Sequence, residues 1–538
     1  MANLKLVECV PNFSEGMDAE VIEAIAEAVR GTSGCDLLDV DPGRSTNRTV
    51  YTFVGPPEAV VEGALAMARV ARERIDMRRH SGAHPRMGAL DVCPFVPVAG
   101  VTMDDCVWCA TTFGRRAGEE LGVPIFLYEG AATQPHRTRL SQIRAGEYEG
   151  LAERLIRPDW KPDFGPAEFV PAWGATATGA RSFLIAYNVN ILGTKEQAHR
   201  IALSVREAGR GPDQPGRLAA VKGIGWYVDE YGLAQVSMNL DDFEVTPPHV
   251  AFEACVEEAQ KLGLAVAGSE LIGLIPRAAL LMAAEHYIQR EQLFIVDEQQ
   301  KIRLAVERLG LHSIAPFLPE QRVIEYRIDA QADGPLASGS VRDFVEAVAA
   351  RSSAPGGGSS AALIAALGAA LGAMVGWLSY GKRKFEAQDA VMRQAIPPLH
   401  EAMKQLVPLI DADTAAFEAY MGALRLPEDH GGRRAAIQAG LQKAVSAPLQ
   451  VMRFADSCWD AMARLAEHGN LASRSDLEVG ARALEAGIWG AGRNVLINLP
   501  DLDEGAFKDA TRGEASALTD RAQEQCERVL RAVEARAQ

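Results

Sequence analysis

Hydrophobic periodicity changes once along this chain, close to residue 330, and that change limits the fold more than any other feature. Before it, short apolar runs alternate with stretches whose apolar residues recur every three or four positions, the pattern of strands interleaved with helices. Residues 4–10, 35–40, 49–54, 90–98 and 123–128 read as strands. Asp18 caps a helical pattern that stops at Gly31, a second helix runs over 58–75, and Thr102 with Asp105 opens a third. The pattern restarts beyond residue 180, with strand 182–191, helix 194–207, strands 225–228 and 234–238, helix 249–262 and strand 264–268. The order β-α-β-β-α-β occurs in both stretches, which predicts two related α/β subdomains joined near 175–185. After the small polar linker Ile328 to Ser340, strand signals nearly vanish. Helical patterns then fill 341–350, 360–380, 389–405, 409–424, 433–457, 459–467, 476–486 and 519–537. The expected architecture is α/β plus all-α and multidomain: two related α/β (β-α-β-β-α-β-like) subdomains followed by a helical-bundle domain. It divides as 1–183, 184–328, a linker 329–336, and 337–538.

Composition removes several classes of function. Charged residues at 23% and hydrophobic ones at 48% exclude a disordered chain. Lys+Arg 55 against Asp+Glu 71 leaves a net charge of −16, a field that repels phosphate backbones, so no nucleic-acid partner is expected. Cys106 and Cys109 form a C-x-x-C inside a helical pattern with no second pair or His partner, and read as ordinary thiols in a reducing compartment. The N-terminus has no basic segment followed by an apolar one, so a cytosolic location is expected. Residues 361–380 carry no charge and place Gly368, Gly372 and Gly376 at four-residue spacing. Seven alanines and the lack of a second such run favour a helix buried on all sides in a bundle or subunit interface over an integral membrane segment.

Five segments can carry chemistry. Arg78-Arg79-His80-Ser81-Gly82-Ala83-His84-Pro85-Arg86-Met87-Gly88 gathers two His and three Arg in eleven positions. His80 and His84 have the spacing of zinc ligands on a helix, but Gly82 and Pro85 break any helix there, so no metal is expected. A cationic loop suits anionic groups, and its guanidinium charges favour neutral imidazole, the form a general base needs. The polar loop Asp39 to Arg48 ends a strand, where ligands of open α/β sheets often bind. Gly165 to Gly174 is stiffened by Pro166 and Pro171 and carries Phe169 and Trp173, rings that either face a flat ligand or plug the subdomain junction. Gly223-Ile-Gly225 lacks a third glycine and a following helix, so no nicotinamide dinucleotide is expected. In the bundle, Asp413 shares a helix stripe with Met403, Leu406, Ile410, Phe417, Tyr420 and Leu424, which predicts apolar surroundings and a raised carboxyl pKa. Asp411 turns towards another face. Pro355-Gly-Gly-Gly-Ser-Ser360 precedes a helix and can offer backbone N–H groups to an anion.

The runs Leu6-Val-Glu-Cys-Val-Pro-Asn-Phe-Ser-Glu-Gly16, Ser45-Thr-Asn-Arg-Thr-Val-Tyr-Thr-Phe-Val-Gly55, His84-Pro-Arg-Met-Gly-Ala-Leu-Asp-Val-Cys-Pro94, Trp173 to Arg181, Ala354-Pro-Gly-Gly-Gly-Ser359 and Asp476-Leu-Glu-Val resemble the formimidoyltransferase-cyclodeaminase family. The resemblance spans essentially the whole chain. It implies two linked reactions of histidine breakdown and one-carbon metabolism: formimino transfer from N-formimino-L-glutamate to tetrahydrofolate, then cyclisation to 5,10-methenyltetrahydrofolate with release of ammonia. It also implies His84 as transferase base and Asp413 as cyclodeaminase acid/base. The implied folate stretch is Gly165, Pro166, Ala167, Glu168, Phe169, Val170, Pro171, Ala172, Trp173 and Gly174. Arg78, Arg79 and Arg86 become candidates for the substrate carboxylates. A polyglutamylated tetrahydrofolate co-substrate, no metal, no nicotinamide and a ring-like homo-octamer complete what the family implies. Two other readings stand beside it: a helical half acting as methenyltetrahydrofolate cyclohydrolase, and a non-enzymatic scaffold.

Overall fold

The computed structural model describes residues 5–43, 47–82, 86–229, 231–329 and 334–537. The described residues up to Ile328 form one compact unit, and those from Asp329 onward form another.

The first unit begins with a seven-stranded sheet built from β1 (Leu6–Cys9), β2 (Asn12–Phe13), β3 (Asp36–Gly43), β4 (Arg48–Gly55), β5 (Leu90–Ala99), β6 (Ile125–Glu129) and β7 (Thr176–Ala180). β1 lies antiparallel between β4 and β5, β3 pairs β4, and β7 runs parallel to both β5 and β6. Strand pleating sends Val7, Cys9, Tyr51 and Phe53 into a core under α1 (Ala19–Arg30), α2 (Pro57–Arg74) and α3 (Met103–Leu121). The alternate residues Glu8, Asn12 and Arg48 therefore face the opposite side, where the candidate site is built. The Asp18 cap and the Thr102–Asp105 capping box form as expected. Cys106 and Cys109 are buried on α3, and burial pushes the Cys106 thiol up to about 12, so neither is a reactive thiolate.

The second sheet follows β8 (Ile185–Leu192), α4 (Lys195–Val205), β9 (Val221–Val228), β10 (Leu233–Leu240), α5 (Pro248–Lys261) and β11 (Ala265–Ile272), in the spatial order β11-β8-β10-β9. The path β3-β4-β1-β5 of the first sheet has the same connectivity, with β7 and β6 added beyond β5. Two helices, α6 (Arg277–Glu291) and α7 (Glu298–Leu309), close this core. They carry buried Leu280, Ala283, Ile302 and Val306 and had no counterpart in the periodicity reading.

The second unit is helical: α8 (Val341–Ala349), α9 (Gly357–Trp377), α10 (Asp389–Leu406), α11 (Leu409–Leu424), α12 (Arg433–Asp456), α13 (Trp459–His468), α14 (Arg474–Asn498) and α15 (Ala506–Ala537). α14 runs twelve residues past its expected end at 486 because its later glycines are contacts, not breaks: a Cβ on Gly487 would stand 2.7 Å from Ala365 Cβ of α9. The same crossing brings Gly368 of α9 onto α14, where a Cβ would meet Gly480 O at 2.8 Å. α9 is long and apolar enough to cross a membrane, yet its small residues pack inside this bundle. Within the single chain Ile364, Leu367, Met374 and Trp377 remain an exposed stripe, Leu367 at 54%, so the bundle alone does not bury the helix on all sides.

Candidate active sites

Three of the motif loops meet at the end of the first sheet. Asn47 accepts from Gly16 N at 2.9 Å through Oδ1 and donates to Ser81 O at 2.9 Å through Nδ2, and its carbonyl stands 2.7 Å from His80 Nε2. Beside them a notch of about 430 Å³ is lined by Ser81, Gly82, Arg86, Gly146, Glu147 and Glu149. His84 lies outside the described residues. Arg86 follows it and is nearly buried, with its guanidinium forked onto Glu149 at 2.8 and 2.7 Å and onto Glu147 at 3.3 Å. Arg78 is tied to Asp76 at 2.6–3.1 Å, holding that carboxyl down to about 2, while Arg79 is exposed. Arg78 and Arg86 are thus already neutralised by their own carboxylates, which weakens their candidacy for substrate carboxylates.

The Gly165–Gly174 stretch is stitched against this loop. Met77 N donates to Ala172 O at 3.1 Å, Ala89 N to Trp173 O at 2.8 Å, and Ala175 N to Met87 O at 3.0 Å. Gly174 has φ +81, and a Cβ there would lie 2.1 Å from Met87 O, so only glycine allows the approach. Ala167, Glu168 and Pro171 are exposed, whereas Pro166, Phe169, Val170 and Ala172 are half-buried. Trp173 is buried in the α1–α3 core, not at a subdomain junction, and donates from Nε1 to Thr176 Oγ1 at 3.0 Å. Phe169 instead packs on Tyr148, ring centroids 5.4 Å apart, and Tyr148 donates to Pro171 O at 2.6 Å.

Behind the loop lies a charged cluster that the motif reading missed. Asp91 on β5 is wholly buried; its Oδ1 accepts from Met87 N at 2.9 Å, and its Oδ2 takes Arg48 Nη1 at 3.2 Å and Arg144 Nη2. Arg48 Nε also donates to Asn12 Oδ1 at 3.0 Å. Burial lowers the Arg48 pKa to about 10 against the opposing pull of Asp91. On the same face Glu8 is buried and its carboxyl is pushed up to about 7 by desolvation, with Arg181 pulling it down. An acid inside the otherwise apolar run 90–98 was the available signal for Asp91; Arg144 offered none.

In the helical unit Asp413 sits on α11 against the first turn of α9. A Cβ on Gly358 would lie 2.2 Å from Asp413 Oδ1, and Ser359 Oγ stands 3.5 Å from Oδ2. Ser359 also donates to Ile410 O at 2.7 Å and lies 3.0 Å from Thr414 Oγ1. Burial raises the Asp413 pKa, while the Ser359 N–H and hydroxyl oppose it. The purely apolar surroundings expected are corrected: the carboxyl is half-buried and meets the glycine turn, because that turn is the N-terminus of α9 and offers its backbone N–H groups. Asp411 points elsewhere, accepting from Leu336 N and Ala337 N at 2.9 Å each. Among the described residues no group of three or more His, Cys, Asp or Glu is placed to hold a metal.

Comparison with known proteins follows this division. Residues 6–181 match the family profile "Formiminotransferase domain, N-terminal subdomain", 186–329 match "Formiminotransferase domain", and 340–517 match "Formiminotransferase-cyclodeaminase". A formimidoyltransferase-cyclodeaminase of Dictyostelium discoideum is 59% identical over 528 residues, covering 98% of both chains. The chain belongs to the formimidoyltransferase-cyclodeaminase family. It is an enzyme. Shorter relatives match about half of the chain or less. A glutamate formimidoyltransferase of Streptococcus pyogenes serotype M1 is 43% identical over 288 residues, covering 53% of this chain and 94% of the relative. A methenyltetrahydrofolate cyclohydrolase of Methylorubrum extorquens is 34% identical over 200 residues, covering 36% of this chain and 96% of the relative. One of these relatives bears the name of the transferase alone, and the other the name of a different folate activity.

Proposed function

We propose that this chain performs two consecutive folate reactions. The α/β unit transfers the formimino group of N-formimino-L-glutamate to N5 of tetrahydrofolate, giving L-glutamate and 5-formiminotetrahydrofolate. The helical unit closes that product to 5,10-methenyltetrahydrofolate and releases ammonia. The observation that carries this reading is full-length identity of 59% to a protein bearing both names, with a transferase relative matching 53% of the chain.

In the first reaction N5 attacks the formimino carbon, and the bond from that carbon to the glutamate nitrogen breaks. His84 is the group assigned to take the N5 proton and return it to the departing nitrogen. Gly165 to Gly174 is assigned to the folate, through its backbone and the exposed Ala167, Glu168 and Pro171. In the second reaction N10 attacks the same carbon and ammonia leaves. Asp413 is assigned to carry the proton from N10 to the leaving nitrogen, a task helped by a carboxyl pKa raised towards the working pH. The reading extends to a lyase step in histidine degradation, a polyglutamylated folate, a cytosolic homo-octamer and two related α/β subdomains at 1–183 and 184–328. The shared strand connectivity supports the last of these, and the exposed stripe on α9 supports self-association.

A coupled assay tests this directly: purified protein, formiminoglutamate and tetrahydrofolate, with methenyltetrahydrofolate absorbance and ammonia followed together. Stoichiometric appearance of both is expected. Folded protein that yields neither overturns the reading. The cyclohydrolase relative keeps one alternative open for the helical unit, and methenyltetrahydrofolate hydrolysis without any ammonia from 5-formiminotetrahydrofolate would select it.

A further inference from the structure

Ser359, in the first turn of α9, is wholly buried and has one hydroxyl hydrogen for three oxygens. Its Oγ lies 2.7 Å from Ile410 O, 3.0 Å from Thr414 Oγ1 and 3.5 Å from Asp413 Oδ2. At those distances the hydrogen sits on Ile410 O. That carbonyl does not depend on it, because the helical pattern of α11 also gives it the N–H of Thr414, four residues on. The Thr414 hydroxyl can donate into a lone pair of Ser359 Oγ, which leaves the Ser359 hydrogen free to turn. The carboxyl of Asp413 is confined beside it. Both its oxygens lie over Gly358, 2.2 and 2.3 Å from where a Cβ would stand. The charged groups of the surrounding elements are directed elsewhere. α9 has no acid, base or tyrosine, and Asp411 is bound to Leu336 N and Ala337 N. On α12, Arg433, Arg434, Arg453 and Asp456 have other partners, and Lys443 lies along Ala419 and Gly422 further down the helix pair.

We propose that Ser359 is a positioning residue of the helical site, whose hydroxyl follows Asp413 through its proton cycle. While Asp413 carries the proton, the hydrogen of Ser359 rests on Ile410 O. When Asp413 has given the proton up, the same hydrogen turns to Oδ2, and Ser359 itself never loses it. Each form of the carboxyl thus keeps a hydrogen-bonded arrangement. A half-buried group that passes between two forms in every turnover needs both to be within reach. The inference rests on the reading of Asp413 as the acid/base of ammonia release.

The test uses the full chain with supplied 5-formiminotetrahydrofolate, and ammonia release is measured from about pH 6 to about pH 9. In Ser359→Ala the carboxylate loses its hydroxyl donor. The acidic limb of the kcat profile then moves to higher pH by about half a unit or more, while KM stays within about twofold. Ser359→Thr keeps a hydroxyl and returns the limb towards its wild-type position. Ser359→Cys, a weaker donor, moves the limb the same way as Ser359→Ala and carries the test alone should Ser359→Ala not fold. Formimino transfer by the same preparations and thermal melting report the integrity of the two units. A smaller displacement in folded Ser359→Ala, or an unmoved limb in Ser359→Cys tested alone, overturns the proposal. So does an equal displacement in Ser359→Thr, since the hydroxyl is then not the cause. Undiminished ammonia release by Asp413→Asn would instead remove the acid/base reading on which the inference rests.

Discussion

Asp413 illustrates how a single side chain is tuned by its neighbours. Desolvation raises its pKa, and the Ser359 N–H and hydroxyl pull the other way. Asp413→Asn removes that charge at almost constant volume. Ammonia release from 5-formiminotetrahydrofolate should fall ~10²–10⁴-fold while the melting temperature is unchanged or higher, measured by stopped assay and calorimetry. Gly358→Ala should abolish the same activity, because its methyl would occupy the space of Asp413 Oδ1. Glu8 makes a separate prediction about pH. Its folded pKa of about 7 lies above the ordinary 4.5, so its contribution to stability is fully present below about 4.5 and lost as pH rises through about 7. Glu8→Gln should therefore stabilise the α/β unit at pH 8, by up to roughly 3 kcal/mol, and have little effect at pH 4. Denaturant melts at the two pH values decide it, and equal shifts at both would show that titration of Glu8 is not the cause.

At the scale of elements, the crossing of α9 and α14 decides whether the helical unit packs. Gly368 and Gly480 let the backbones approach until carbonyl oxygens sit where side chains would otherwise be. Gly368→Val puts a branched side chain into Gly480 O and Leu484, and overpacking of this kind costs about 1–3 kcal/mol or more. Thermal unfolding followed by cyclodeaminase activity should shift downward while formimino transfer survives. In the α/β unit, buried His249 on α5 stacks on His286 of α6 at 4.4 Å, and burial lowers its pKa to about 4. The unfolded chain binds that proton near pH 6.5 and the folded chain does not, so stability should decline as pH falls from about 6.5 to about 4. His249→Phe should flatten that decline in a series of melts across the window.

At the scale of the whole molecule, the described residues form two compact units that part at Asp329. The chemistry is expected to part in the same place. His84→Ala should block formation of 5-formiminotetrahydrofolate yet leave its cyclisation intact when the intermediate is supplied. Residues 1–328 expressed alone should retain formimino transfer, as a relative of nearly that length bears the transferase name. A folded fragment without transfer would show that the helical unit contributes to the transferase site.

Local pattern determined a good deal of this protein. Apolar alternation placed β4 and β5, helical spacing with Asp18 and Thr102 caps placed α1 and α3, and the long motifs identified the family before any coordinates. These features are legible because period and capping are properties of neighbouring residues. What depends on separation in sequence was not. The length of α14 past residue 486 depends on glycines that close on α9, and Trp173, which its segment allows as ligand platform or plug of the subdomain junction, lies in the core under α1–α3. Arg86 looked available until Glu149 closed on it, sixty-three positions away. Arg48, Asp91 and Arg144 became one charged site only through pairings of 43 and 53 positions. A side chain's type fixes which interactions it can make, but charge balance, desolvation and close backbone approach are sums over whatever the fold brings alongside, and only the tertiary structure supplies that list.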